Sequence, residues 1–443
     1  MAKKKVRIGQ TIALIPEAGS AIRPEWLLDG QSGNTNFPYS KYKALATVGE
    51  VDAKTKLGLT GYPDGQAAWL LDDNTVRVAY QSESYANVTG TRTPEPETYP
   101  RELKTGVTFT GSRIHTIDYA RDAFADFMGN DSAASDMVKG SGFLFNRAFN
   151  LFGKEVTPKN TDPADLAAKW GNQTLPSGEI VEFGTPLSDA DFFFHSFCGA
   201  WYEPANRYGE GQGFSDDIWL MAEEWDIGED NFAPGVAGEA VANETMGLAA
   251  MAVDVANEVA YSVPALGQTG YEKIAPLNTG ESDYVVVVTA GYNHGQDPAP
   301  LKIYVGRKGY DAEGNEITED HSERDQFLGR NGMLWGQLYG QALKNKHFEK
   351  LGIVADEDGN GVFDDQVMNT YLTSQAKAGD SFKGRFYPTS YQWGGWDEPT
   401  AVGDTEMFLW ERPEQQPKNY TFFQGDKKTE HQAIDPSGKA RWF

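Results

Sequence analysis

Short apolar runs closed by turn-forming residues recur along this chain from residue 67 to the C-terminus, and that recurrence constrains its fold more than any other feature. Ala67-Ala68-Trp69-Leu70-Leu71 is followed by Asp72-Asp73-Asn74 and then Val76–Tyr80, a strand–turn–strand pattern that closes on Glu83. Ile218–Ala222, Leu248–Val253, Val259–Val263, Tyr284–Thr289, Leu301–Val305, Met333–Ala342, Met407–Leu409 and Tyr420–Phe423 follow. Runs this short, bounded by Gly, Pro, Asn and Asp, read as strands rather than helices. Helical spacing is expected only locally: around Ile117, Phe124 and Phe127 within 117–139, after the Asp162-Pro163 cap over Ala164–Trp170, and over Asp365–Ala376.

No linker interrupts the strands, and 443 residues can bury one large core. The expected fold is all-β, a single large β-propeller with helical and loop insertions over residues 58–443 behind an N-terminal extension over 1–57. Two stacked sandwiches would also fit the irregular spacing. Here composition matters: 12% aromatic residues and 48 glycines suit many short strands joined by tight turns.

Charge narrows the partners. Acids outnumber bases 64 to 39, a formal net charge of −25, which argues against nucleic acid and favours divalent cations. No apolar run approaches the roughly eighteen residues of a membrane span. Lys3, Lys4, Lys5 and Arg7 precede no apolar core, so no secretory signal is expected. An extracellular or virion location would need a route that the sequence does not show. A single cysteine excludes an internal disulfide framework.

The stretch Asp191–Trp225 carries the most chemistry. It holds that cysteine, Cys198, one of six histidines, His195, and an apolar run that ends in Glu223 and Glu224. Paired acids at the end of a buried strand need a cation or a proton between them, or else solvent around them. Asp64 in a glycine turn, Glu83 after a strand, Glu272 and Glu414 extend the set of acids that a shared channel would gather. A lone cysteine is also what an ordinary small core residue looks like.

A separate signal is Asp356-Glu357-Asp358-Gly359-Asn360-Gly361-Val362-Phe363-Asp364. Oxygen ligands at Asp356, Asp358 and Asn360, a glycine turn, the Val362 carbonyl and Asp364 match the start of an EF-hand-type calcium loop. Position 12 is Val367 rather than glutamate, so the loop is incomplete, and the calcium expected here would be structural.

Several blocks, in order, resemble the PhoX-type alkaline phosphatase superfamily of calcium-dependent β-propellers. Gly61-Tyr62-Pro63-Asp64-Gly65-Gln66-Ala67-Ala68 resembles its G-x-P-D-G-L-G-A turn, and Gln81-Ser82-Glu83 keeps only the glutamate of its Asn-His-Glu. Phe197-Cys198-Gly199-Ala200, Ala222-Glu223-Glu224, Tyr271-Glu272 and Arg412-Pro413-Glu414 resemble later blocks, with Gln415-Gln416 in place of Asp-Gly. The resemblance implies iron as well as calcium, with Cys198, Glu223, Glu272 and Glu414 as metal ligands. It also implies a phosphate monoester gripped by Arg412. The eroded blocks equally suit a non-catalytic, calcium-stabilised structural protein, such as a virion component, a homo-oligomer or a surface-assembly subunit.

Overall fold

The structure is a computed structural model. It describes residues 7–9, 45–83, 101–109, 112–130, 132–150, 153–158, 173–174, 180–181, 197–223, 250–267, 270–292, 301–349, 383–388 and 420–422. The chain divides into two compact units, Met1–Tyr99 with Ser112–Leu144, and Pro100–Gly111 with Phe145–Phe443.

In chain order the strands are β1 (Tyr62–Asp72), β2 (Thr75–Glu83), β3 (Arg101–Glu102), β4 (Thr108–Phe109), β5 (Arg113–Ala120), β6 (Val138–Phe143), β7 (Arg147–Phe149), β8 (Gln173–Thr174), β9 (Ile180–Val181), β10 (Phe197–Glu203), β11 (Ile218–Glu223), β12 (Met251–Asp254), β13 (Val259–Ser262), β14 (Gly270–Leu277), β15 (Tyr284–Tyr292), β16 (Lys302–Arg307), β17 (Trp335–Lys344), β18 (Gly384–Pro388) and β19 (Tyr420–Phe422). Helices are few and short: α1 (Phe124–Gly129), α2 (Glu323–Arg330) and α3 (Asn345–Glu349). The described chain is therefore mostly β-sheet, and its sheets are open.

The first unit holds the sheet β1-β2-β5-β6. Its opening hairpin turns because Asp72 accepts hydrogen bonds from the Asn74 amide (2.7 Å) and the Thr75 hydroxyl (2.9 Å). Leu59, Tyr80, Ile117, Tyr119, Phe127 and Met137 form its core. Residues 117–139 differ from the helical expectation: Ile117 lies on β5, and only Phe124–Gly129 is α-helical. β5 pairs on one side with β2 and on the other with β6, and that ladder overrides the local spacing.

The second unit holds two larger sheets, β10-β11-β12-β13-β7 and β14-β15-β16-β17-β18, with β19 also pairing β17. One continuous core runs through both, from Ile218 and Leu220 to Val287, Phe327 and Leu338. β14 and α2 are among the elements that the sequence patterns do not announce as a strand or a helix. β14 contains Pro276, which a strand tolerates at a sheet edge, and β14 is the edge of its sheet. α2 follows Ser322, whose hydroxyl accepts the Asp325 amide at 3.1 Å; this Ser-x-x-Asp signature was legible.

Candidate metal centre

Three hairpins open in the same way. In β1 the pairing with β2 slips by one residue between Pro63 and Gln66, which places Asp64 and Gly65 in a bulge. In β10 the slip against β11 falls between Phe197 and Ala200, at Cys198 and Gly199. In β14 the slip against β15 falls between Tyr271 and Lys273, at Glu272. A bulge leaves an extra residue outside the ladder and re-aims its side chain. Each of these positions had been singled out as an acid or thiol.

The second strands repeat as well. Glu83, the last residue of β2, lies opposite Tyr62, just ahead of the first bulge. Glu223, the last residue of β11, lies opposite Phe197, just ahead of the second. In the first unit this geometry brings a carboxylate oxygen of Asp64 and one of Glu83 within 4.8 Å of each other, both side chains half-buried. Two oxygens bound to one calcium at about 2.3–2.6 Å can be at most roughly 5 Å apart, so this pair fits one ion. Gly61 shapes the entry. Its φ of +73° is left-handed, and a Cβ there would collide with the Glu83 carbonyl and lie 2.7 Å from the Ser82 Cβ.

In the second unit Cys198 is fully buried, while Glu223 and Glu272 are half-buried. Within that unit no three described acidic, histidine or thiol ligand atoms meet within 4.8 Å of one another. What does meet is backbone: a Cβ on Gly199 would overlap the carbonyl oxygen of Glu272. Only glycine permits that approach, and nothing in the local sequence announces the contact.

The far end of β10 carries a group that the sequence reading missed. Glu203 is fully buried, and its Oε2 accepts hydrogen bonds from Trp201 Nε1 (2.7 Å) and Arg207 Nη1 (2.8 Å). Burial raises its carboxyl above the usual range, against the opposing pull of these two donors. The Arg207 guanidinium lies over the rings of Trp201 and Tyr208, at 5.6 and 5.8 Å from their centroids.

Glu224, Glu414, Arg412 and the loop ligands Asp356, Asp358, Asn360, Val362 and Asp364 lie outside the described residues. So do His195 and the helices expected over 164–170 and 365–376. No helix among the described residues is long and apolar enough to cross a membrane.

No known family profile matches the chain, and no curated protein does. A solved structure, Pseudomonas fluorescens PhoX in complex with vanadate, a transition state analogue, matches 64% of this chain at 12% identity with a TM-score of 0.29. The match covers 46% of that structure's chain, so this is a distant structural relationship over less than half its length.

Proposed function

We propose that this protein is a calcium-binding β-propeller over residues 58–443, of PhoX-like type, whose strand-end carboxylates hold metal. The observation that carries the reading is the Asp64–Glu83 pair, with oxygens within 4.8 Å at the end of one hairpin. Two half-buried carboxylates at that separation repel unless a cation or a proton lies between them. Calcium is the cation whose ligand type and reach they match.

Cys198, Glu223, Glu224, Glu272 and Glu414 are the further ligands of this reading. The thiol suits iron, and the carboxylates suit either metal. The loop Asp356–Asp364 takes a structural calcium. A bound cation cluster would supply positive charge to a transferring phosphoryl group. Arg412 would hold the phosphate monoester by its paired N–H donors, which makes the protein a phosphomonoesterase. The non-catalytic alternative, a calcium-stabilised structural subunit, draws support from the lost Asn-His and Asp-Gly of the motif blocks.

Calcium titration followed by thermal melting tests the metal reading. Free calcium at about a hundred times Kd should stabilise the parent by about 2.7 kcal/mol. Glu83→Gln should abolish most of that response, and an unchanged response would refute the Asp64–Glu83 site. Hydrolysis of p-nitrophenyl phosphate with calcium and iron supplied then separates the two activities. Turnover lost in both Arg412→Ala and Cys198→Ser supports the phosphatase; calcium binding without turnover supports the structural protein.

A further inference from the structure

The bulge in β1 faces a single residue of β2. Ser82 lies opposite Pro63 and Tyr80 opposite Gln66, so Asp64 and Gly65 stand across from Gln81 alone. Successive side chains of a strand point to opposite faces. Tyr80 stacks on His115, with ring centroids 4.9 Å apart, on the face that carries the core of the first unit. Gln81 and Glu83 therefore share the other face, where the Glu83 carboxylate meets that of Asp64. Gln81 is fully buried. Ile114 lies directly opposite it on β5, and Ala79 lies two residues back on β2; both are fully buried. A buried primary amide is stabilised only where its oxygen and its N–H groups meet partners, and the side chains of Ile114 and Ala79 offer none.

We propose that Gln81 is a further ligand of the calcium site in the first unit, its carboxamide Oε1 binding the same ion as Asp64 and Glu83. This ligand rests on the metal reading above and adds to it. Calcium takes about six to eight oxygens and accepts carboxamide oxygens among them, so two carboxylates alone leave its shell short. A neutral oxygen suits the position, because a third carboxylate would add charge to two that already repel. With the amide turned over, Nε2 would instead donate to the two acids, and the experiment separates these arrangements.

Calcium is titrated into chelator-treated protein, and each variant is melted in chelator and in saturating calcium. Gln81→Met keeps the length of the side chain and removes its oxygen. It should bind calcium about tenfold more weakly than the parent while melting with it in chelator. Gln81→Glu keeps the oxygen and adds charge. It should bind about tenfold more tightly yet melt lower in chelator, where three carboxylates stand together without a cation. A gain in affinity cannot come from a damaged fold, so this variant decides the matter even if Gln81→Met folds poorly. Unchanged or tighter binding by Gln81→Met overturns the ligand. Tighter binding with a lower melting temperature in chelator assigns the amide to the acids as a donor. Gln81→Glu binding no more tightly than the parent overturns the ligand as well. A parent with no calcium response overturns the metal reading and this ligand with it. A responding parent beside an equally responding Gln81→Met overturns this ligand alone.

Discussion

The β1/β2 hairpin of the first unit and the β10/β11 hairpin of the second follow one plan and differ in what covers them. Both carry a bulge near the start of the first strand, and a glutamate lies opposite Tyr62 or Phe197 just ahead of it. β1, however, is exposed along much of its length, with Leu70 and Leu71 at 51% and 45%. β10 is buried from Phe197 to Ala200 and again at Glu203. The side-chain types follow the covering. Asp64 and Glu83 are hard oxygen donors that tolerate partial solvation, whereas the Cys198 thiol is at home in an apolar interior. One local device thus stands in two settings because the packing around it differs.

The largest effect that would break this comparison is expected from Gly199→Ala. The added carbon overlaps backbone rather than a movable side chain, so β10 must leave β14. The cost should exceed the usual penalty of about 1–3 kcal/mol for overpacking, and urea denaturation should show the variant's midpoint collapsing. A variant within about 1 kcal/mol of the parent would mean that the sealed corner is loose. Next comes Leu220→Ala, which deletes a fully buried side chain of β11 and should cost about 2–5 kcal/mol in the same assay.

Gly61→Ala is the counterpart of Gly199 in the exposed hairpin. It combines a left-handed φ of +73° with a collision against the Glu83 carbonyl. A loss of about 2 kcal/mol is expected, because β1 has room to shift where β10 has none. The calcium response should fall with it. An effect equal to that of Gly199→Ala would erase the difference drawn between the two hairpins.

A pH series sharpens the comparison at the other end of β10. Burial raises the Glu203 carboxyl above the 4.5 of an unfolded glutamate. Below 4.5 both states hold the proton. As pH rises towards the folded value, the unfolded chain ionises first, so the folded protein loses stability relative to it. Glu203→Gln should flatten that decline, and its stability relative to the parent should improve as pH rises. A parent–variant difference that does not vary with pH would remove the buried carboxyl from the account. The smallest effect is expected from Leu70→Ala on exposed β1, within about 0.5 kcal/mol. A larger loss would show that β1 is covered in solution.

Much of the strand content was legible because buried strands need short apolar runs between turn residues. Val76–Tyr80, Val259–Val263, Tyr284–Thr289 and Leu301–Val305 all fall on β-strands. β14 was not legible, since Tyr271-Glu272-Lys273 and Pro276 break the pattern that an interior strand would show. Edge position is a property of the assembled sheet, not of the segment. Asp64, Glu83, Cys198, Glu223 and Glu272 stood out as acids or a thiol near strand ends. Glu203 did not, because nothing near it in sequence announces that it is buried.

By itself, the sequence determined many of the strands, the turn of the first hairpin, and which residue types stand at strand ends. These depend on periodicity, on turn chemistry such as Asp72 with Asn74, and on neighbours a few residues away. Only the tertiary structure decided the one-residue slips at Asp64, Cys198 and Glu272 and the contact of Gly199 with the Glu272 carbonyl. Register is a relation between two strands, and packing between sheets is a relation between segments some seventy residues apart, as Lys273 and Ala200 are. No local pattern encodes either, because the energy that selects them exists only once the partner is in place.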